Sequence, residues 1–384
     1  MSLHPAKGLT KIIILTCLIL FGLSISVIHA ENPPFDLNKL YFESIKTPAS
    51  NWGLLEDREG FIWVTTASES FRYDGNSFKP YEELPIYSSS VYEDHQGILW
   101  FSTVSTLVSY DKASDTTRTF KADPADVKAL PGGFSIDGSQ YFAEDSRGNL
   151  WLATTKGLCR YDREQQSFVT VRTVGDASPM DNQVSALLPS ADGQLWVGTR
   201  SGLHKFDPFT GRVTKWYKSD NFTANALHGE FVLALWEEEN GVLWVGTKTG
   251  CLSRLDPATD SFSHYMHDPD ESHGGSHSHV RTLFVSPDTP DLLWIGTFGG
   301  GLNILNRVSG EFHEYRYDEN SLGQGSIGDN DILKIIQDRR NKNIWVLSRN
   351  SLNRIDPGAQ PFTAHVTKSG NPNSLLPGAH YIGI

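Results

Sequence analysis

Short apolar phrases, separated by polar turns that contain glycine, recur along most of this chain. Each phrase centres on a tryptophan between apolar neighbours, as in ILWFST and QLWVGT. The intervals between successive tryptophans are 37 to 51 residues, a spacing typical of repeat architectures. The seven repeats are marked by Trp63, Trp100, Trp151, Trp196, Trp244, Trp294 and Trp345.

Each repeat resolves into four predicted strands, named a to d in chain order. Alternation in residues 184–188 indicates strand a, a D-x-x-G turn follows, and the tryptophan phrase is strand b. A phrase ending in aspartate, such as residues 202–207, predicts strand c, and residues 213–217 exemplify strand d. Glycine in the D-x-x-G turn is expected to adopt the positive φ that a tight hairpin requires.

A sheet that is apolar on both faces must bury both, and a closed ring of such sheets leaves few exposed edges. We therefore predict an all-β fold, a seven-bladed β-propeller of four-stranded antiparallel blades, over residues 31–370. The seven tryptophans are predicted to be wedges between neighbouring blades. Residues 35–45 are expected to supply an outer strand that closes the ring on blade seven, in competition with residues 362–366.

The two ends of the chain differ from the repeats. Lys7 and Lys11 precede an apolar run over residues 12–28 and a small residue, Ala30, which predicts a secretory signal peptide over residues 1–30. An uncleaved anchor is the alternative, since the run nearly spans a bilayer. Residues 371–384 read as the start of an eighth repeat without its first turn, so we expect the chain to be part of a longer protein.

Charge and cysteine content narrow the possible partners. The formal net charge is −12 at pH 7, and the part after residue 30 carries −14, which argues against nucleic acid as a partner. We expect contact with a membrane only through the N-terminal segment or a helix that follows the chain. Cys159 and Cys251 lie two repeats apart and are expected to be free, buried thiols.

The phrase E-D-x-x-G-x-L-W-V-G-T, followed by G-L-x-R-Y-D and F-x-x-Y, resembles the two-component regulator propeller repeat. The segments 267–272, 318–322 and 371–375 resemble that family's links between blades. The resemblance implies the periplasmic sensor region of a hybrid histidine kinase or a propeller-bearing diguanylate cyclase, facing outward from the inner membrane. It also implies homodimerisation of the full-length receptor.

Two other features of the sequence bear on a possible metal site and a possible catalytic site. A histidine-rich link could hold zinc or nickel, but Gly274 and Gly275 prevent the helix that an H-x-x-x-H pair needs, so no metal or cofactor is predicted. The histidines are His264, His267, His273, His277 and His279.

A catalytic site should appear as a repeat-breaking polar residue on an inner strand, whereas acids here are mostly at turns. We predict that the chain is not an enzyme. One alternative function is that of a secreted propeller polysaccharide lyase or glycoside hydrolase, and another is that of a protein-interaction scaffold.

The turns after strand b share one face of a propeller with the links between blades, around the mouth of the channel. Residues in these turns include Lys156, Arg200, Lys248, Phe298 and Arg349. Cations from separate blades of an acidic protein predict a binding site for an acid, although ordinary solvated side chains are the alternative. The expected function is ligand sensing, with an acidic oligosaccharide as the favoured ligand and an output domain outside this chain.

Overall fold

The computed structural model describes residues 37, 40–123, 125–171, 183–223, 225–250, 252–265, 279–319 and 326–357. Within these ranges the chain forms seven four-stranded antiparallel sheets. The first three are β2 (Asn51–Glu56), β3 (Ile62–Thr66), β4 (Ser70–Tyr73) and β5 (Phe78–Tyr81); β6 (Ser90–Glu93), β7 (Ile98–Ser102), β8 (Thr106–Asp111) and β9 (Thr116–Lys121); and β10 (Phe142–Glu144), β11 (Leu150–Thr154), β12 (Gly157–Asp162) and β13 (Ser167–Thr170). The next two are β14 (Val184–Pro189), β15 (Leu195–Thr199), β16 (Gly202–Asp207) and β17 (Arg212–Lys218); and β18 (Val232–Glu237), β19 (Leu243–Thr247), β20 (Leu252–Asp256) and β21 (Ser261–Tyr265). The last two are β22 (Val280–Val285), β23 (Leu292–Thr297), β24 (Leu302–Asn306) and β25 (Phe312–Tyr315); and β26 (Ile332–Gln337), β27 (Ile344–Ser348) and β28 (Ser351–Ile355), joined by β1 (Glu43–Lys46).

The seven sheets are the blades of a β-propeller, as the repeat predicted. Strand a of each blade lies innermost. At most junctions of the ring, strands a of neighbouring blades contact one another, including β26 of blade seven with β2 of blade one. No helix within the described ranges is long and apolar enough to cross a membrane. Cys159 is a buried free thiol, as expected, whereas Cys251 lies outside the described residues.

The ring closes through the start of the chain. Strand β1 pairs antiparallel with β28, with Glu43 opposite Arg354, and so supplies the outer strand of blade seven. Just before β1, the ring of Phe42 is 1% exposed and lies 5.3 Å from that of Tyr315 in blade six. The predicted closing strand is thus confirmed, with its pairing at the C-terminal end of residues 35–45. Residues 1–30, 362–366 and 371–384 lie outside the described residues.

The seven tryptophans are buried, and the contacts of six of them identify wedges between blades, as predicted. Their exposed fractions are between 0% and 4%. Trp63 of blade one lies 6.1 Å from the ring of Tyr110 in blade two, and Trp100 lies 5.0 Å from Tyr161 in blade three. Trp345 of blade seven packs into the apolar cluster of blade one. Each wedge therefore buries apolar surface of two blades at once.

The aspartate of the D-x-x-G turn accepts a hydrogen bond from the tryptophan of the same repeat. In blade one, Asp57 accepts a hydrogen bond from the indole of Trp63 at 2.8 Å and two more from the backbone of its turn. Burial raises the pKa of Asp57, but these bonds and the charge of Lys112 outweigh it and lower the pKa below its usual value. Gly60, three residues after Asp57, has φ +87°, as expected. The motif is a structural hairpin.

The glutamate before that aspartate binds the preceding blade. Glu93 of blade two accepts from the backbone of Arg58 in blade one at 2.7 Å, and Glu144 accepts from His95 at 2.8 Å. Glu56 of blade one accepts from Arg339 of blade seven at 3.0 Å, across the closure. The E-D pair therefore joins neighbouring blades as well as building its own turn.

Candidate functional site

Strand a begins irregularly in several blades, and this irregularity shapes the channel mouth. The pairing between strands a and b shifts register after the first residue of β2, β14, β18, β22 and β26. A β-bulge of this kind leaves one residue unpaired and redirects its side chain. The residues at this position are Trp52, Ser185, Leu233, Arg281 and Leu333. Among these five blades, blade six therefore has a cation at this position, whereas the other four have an apolar or small side chain.

Arg281 is the centre of a chain of ion pairs across the mouth. Its guanidinium lies 3.2 Å from Asp331, which also binds Arg349 of blade seven at 2.9 Å. On the other side it lies 3.9 Å from Asp137, which binds Lys248 of blade five at 2.6 Å. Three cations thus alternate with two carboxylates, drawn from blades five, six and seven and from the link between blades two and three.

Aromatic rings lie beneath these cations. Arg349 is 4.6 Å above the ring of Trp52, and Arg281 is 5.1 Å above that of Phe298. The ring of Phe231 lies 5.5 Å from Lys248 and 5.2 Å from a further cation, Arg200. The rings give the mouth flat apolar surfaces beside its charges.

The backbone at Phe231 is strained. Its φ is +54°, which is rare for a bulky side chain and costs about 1–3 kcal/mol. Hydrogen bonds hold it there, since its N–H donates to the carbonyl of Arg200 and its own carbonyl accepts from Lys248. Such strain is concentrated at functional sites.

Four of the five predicted site residues come together at this mouth. Arg200, Lys248, Phe298 and Arg349 all join the network of ion pairs and rings. Lys156 instead lies against Gly132, and no contact in the described part of the chain ties it to the others. The predicted site takes the turn cations as free for a ligand, but Lys248 is paired with Asp137 and Arg349 with Asp331. Arg200 is exposed and has no carboxylate partner among the described residues.

Several polar atoms of the mouth are buried without a hydrogen-bond partner. They are Nε of Arg281, Nε2 of His279 and Nε1 of Trp52, within the described residues. Burial, reinforced by the charge of Arg281, lowers the pKa of His279 to about 4, so its imidazole is neutral at pH 7. Burial also lowers the pKa of Arg281, opposed by the charge of Asp331. Unpartnered buried groups are costly, so these atoms are suited to a ligand.

Sequence reasoning missed Arg281, Asp137 and Asp331. Arg281 is a repeat-breaking polar residue on an inner strand, the signal expected of a functional site, but it is a cation and not one of the acids expected of a catalytic site. The two aspartates lie just before strand a in their links and resemble ordinary loop residues. Nothing in the repeat distinguishes them, because their role depends on partners 111 and 18 residues away.

The histidine-rich link is only partly described. His264 lies 3.0 Å from the hydroxyl of Ser253 and stacks on His228, with ring centroids 3.7 Å apart. His279 lies at the mouth, and His267, His273 and His277 fall outside the described residues. No group of three metal-binding side chains occurs in the parts of the chain described here.

Comparisons with known proteins agree with the fold. Residues 178–201 match the two component regulator propeller family. The extracellular domains of the hybrid two component systems BT3049 and BT4673 from B. thetaiotaomicron are similar in structure, with TM-scores of 0.63 and 0.64 at 20% and 21% identity. These alignments cover 82% and 83% of this chain but only 42% and 40% of those chains.

An enzyme shares the fold as well. Virginiamycin B lyase from Staphylococcus aureus aligns with a TM-score of 0.59 at 11% identity, over 83% of this chain and 99% of the lyase. No curated protein is similar enough to this sequence to match it. The family match includes strands β14 and β15 and the tryptophan phrase around Trp196. Residues 178–201 are therefore a two-component regulator propeller repeat, set in a ring of seven blades that repeat the same phrase.

Proposed function

We propose that this chain is the extracytoplasmic sensing propeller of a bacterial signalling receptor, and that it binds an acidic ligand at the channel mouth. The observation that carries the proposal is the ion-pair chain from Arg349 to Lys248, in which cations outnumber carboxylates. The unpaired Arg200 and the unpartnered nitrogen atoms beside this chain add further donors. These groups come from separate blades of a rigid ring, as a pre-formed site requires.

The ligand class follows from the donors. Guanidinium groups bind planar carboxylates in two-point contacts, and the rings of Phe231 and Phe298 suit the flat faces of a sugar or another apolar group. We propose a uronic-acid oligosaccharide as the ligand. Export across the inner membrane, dimerisation and relay to an output domain complete the proposal, supported by the resemblance and by the similar extracellular domains.

A calorimetric titration with uronic-acid oligosaccharides and their neutral counterparts tests the function. A charge-assisted hydrogen bond contributes about 1.5–3 kcal/mol, so the Arg200→Ala, Lys248→Ala double variant should bind the acidic ligands at least about tenfold more weakly. Lys121→Ala is the matched control, because Lys121 is an exposed lysine on an outer strand. Undiminished binding by the double variant, or a preference for neutral sugars, contradicts the proposal.

A propeller lyase is the second candidate, favoured by the similarity to virginiamycin B lyase. The same titration separates the two functions. A sensor saturates and returns to baseline after each injection, whereas an enzyme releases heat continuously and leaves a cleaved product. Product formation that depends on Arg281 would replace the sensor proposal.

A further inference from the structure

One link between blades enters the channel instead of passing around its rim. Residues 133–141, here named the channel segment, connect blade two to blade three. The carbonyl of Gln140 accepts from Leu187 in strand a of blade four at 2.8 Å. The side-chain amide of Gln140 exchanges two hydrogen bonds with Leu235 in strand a of blade five, at 2.8 and 3.0 Å. The base of the segment is therefore fixed to the free inner edges of two blades.

The rest of the channel segment is fixed as well. The buried hydroxyl of Tyr141 donates to the carbonyl of Ser135 at 2.6 Å and accepts from the N–H of Gly138 at 2.7 Å. Ser89 and Ser90 of blade two donate to the carbonyls of Ser135 and Ser139. These bonds fold the segment into a loop with Asp137 near its tip.

Asp137 brings a carboxylate between cations of two distant blades. One of its oxygens lies 2.6 Å from Nζ of Lys248, and the other lies 3.9 Å from Arg281. The longer distance leaves the Arg281 contact loose, and the Nε atom of Arg281 has no partner. Asp137 thus occupies the position that suits a ligand carboxylate, without using all the donors there.

We propose that Asp137 is an internal counter-ligand: a carboxylate of the bound acid replaces it between Lys248 and Arg281 and releases the tip of the channel segment. This inference rests on the proposed function and adds to it a way of reporting occupancy. Binding exchanges one carboxylate for another, so Lys248 and Arg281 keep a negative partner while the tip of the segment loses its contacts with these two cations. The base of the segment stays bound through Gln140.

Titration with tri-galacturonate tests the replacement. Removing the competing carboxylate in Asp137→Asn should tighten binding about tenfold, since a charge-assisted contact no longer has to be broken. Asp331→Asn is the matched control, because it removes the same charge from the same ion-pair chain but lies outside the channel segment. Equal gains in both variants mean a general charge effect and overturn the proposal.

Hydrogen exchange of a peptide covering residues 133–141 provides the second readout. Exchange there should be about tenfold faster in Asp137→Asn without ligand, and in the natural protein when tri-galacturonate is added, with other blades unchanged. Unchanged exchange, or slower exchange on binding, overturns the counter-ligand. If tri-galacturonate binds neither protein, the acidic-ligand function fails and this inference fails with it. Binding that is equal in the natural protein and Asp137→Asn overturns this inference alone.

Discussion

His204 in strand β16 is a buried ionisable group in apolar surroundings. It is 0% exposed, and its imidazole stacks on Trp216, with ring centroids 5.7 Å apart. Burial lowers its pKa to about 4, from an ordinary value of 6.5. The folded protein therefore resists protonation at a pH where the unfolded chain accepts it.

This difference predicts a loss of stability in mild acid. Between about pH 6.5 and about pH 4 the unfolded chain binds a proton that the native state does not, so the free energy of unfolding should fall by about 3 kcal/mol as pH decreases through this window. His204→Phe keeps a ring against Trp216 and should remove this part of the pH dependence. Urea unfolding from pH 7 to pH 4 measures it; parallel curves for both proteins contradict the assignment.

The tryptophan wedges allow a second test at the scale of single residues. Trp244 is 1% exposed, whereas Trp216 on the outer strand β17 is 41% exposed. Trp244→Ala leaves a cavity between blades five and six and should cost about 3–5 kcal/mol, while Trp216→Ala should cost much less. Similar urea midpoints for the two variants would show that the wedge has been misassigned.

At the scale of elements, the sequence predicts the strands because their pattern is repeated seven times. In blades one to three the turn aspartate, its glycine and the tryptophan recur at fixed spacing, and a tight hairpin explains each of them. A repeat can lack the turn aspartate where another carboxylate can accept the hydrogen bond from the tryptophan indole. In blade four, Ser190 replaces the aspartate, and Trp196 donates instead to Glu237 of blade five at 2.7 Å.

The candidate site could be predicted only in part. The propeller topology determines on which face the turn residues gather, but the contacts between them depend on the paths of single links between blades. Turns after strand b must gather at the mouth, so Arg200, Lys248, Phe298 and Arg349 could be named in advance. The path of residues 133–141 through the channel follows from no repeat. Hence the pairing of Asp137 with Lys248, 111 residues away, could not be foreseen.

At the scale of the whole molecule, one pair of strands joins the two ends of the ring. β1 and β28 are paired over four positions, and Arg339 and Glu56 support the closure on the inner side. Every other blade takes its four strands consecutively from the chain, whereas β1 and β28 of blade seven come from opposite ends of the described residues. The β1–β28 contact is therefore the place where a covalent link should add the most stability.

A disulfide across the closure tests this expectation. Glu43→Cys with Arg354→Cys joins paired positions of β1 and β28, and Ser109→Cys with Arg118→Cys is the matched control at the equivalent pair of blade two. The first closes a loop of about 310 residues and the second a loop of about 10, so chain entropy favours the first by about 3 kcal/mol. The comparison uses urea unfolding with and without reductant, and equal gains contradict a special role for the closure.

The closing pair also sets an order of events in folding. β1 is made early, yet its partner β28 follows about 300 residues later, which at about 5–20 residues per second is a delay of roughly 15–60 s. Contacts between distant parts of a chain form slowly, because the loop must be closed before the contact stabilises it. Until then the blades can assemble only as an open array, with an unpaired edge on β28 and the wedge of Trp345 uncovered. We therefore expect the pairing of β1 with β28 to be the last step in forming the ring of described strands.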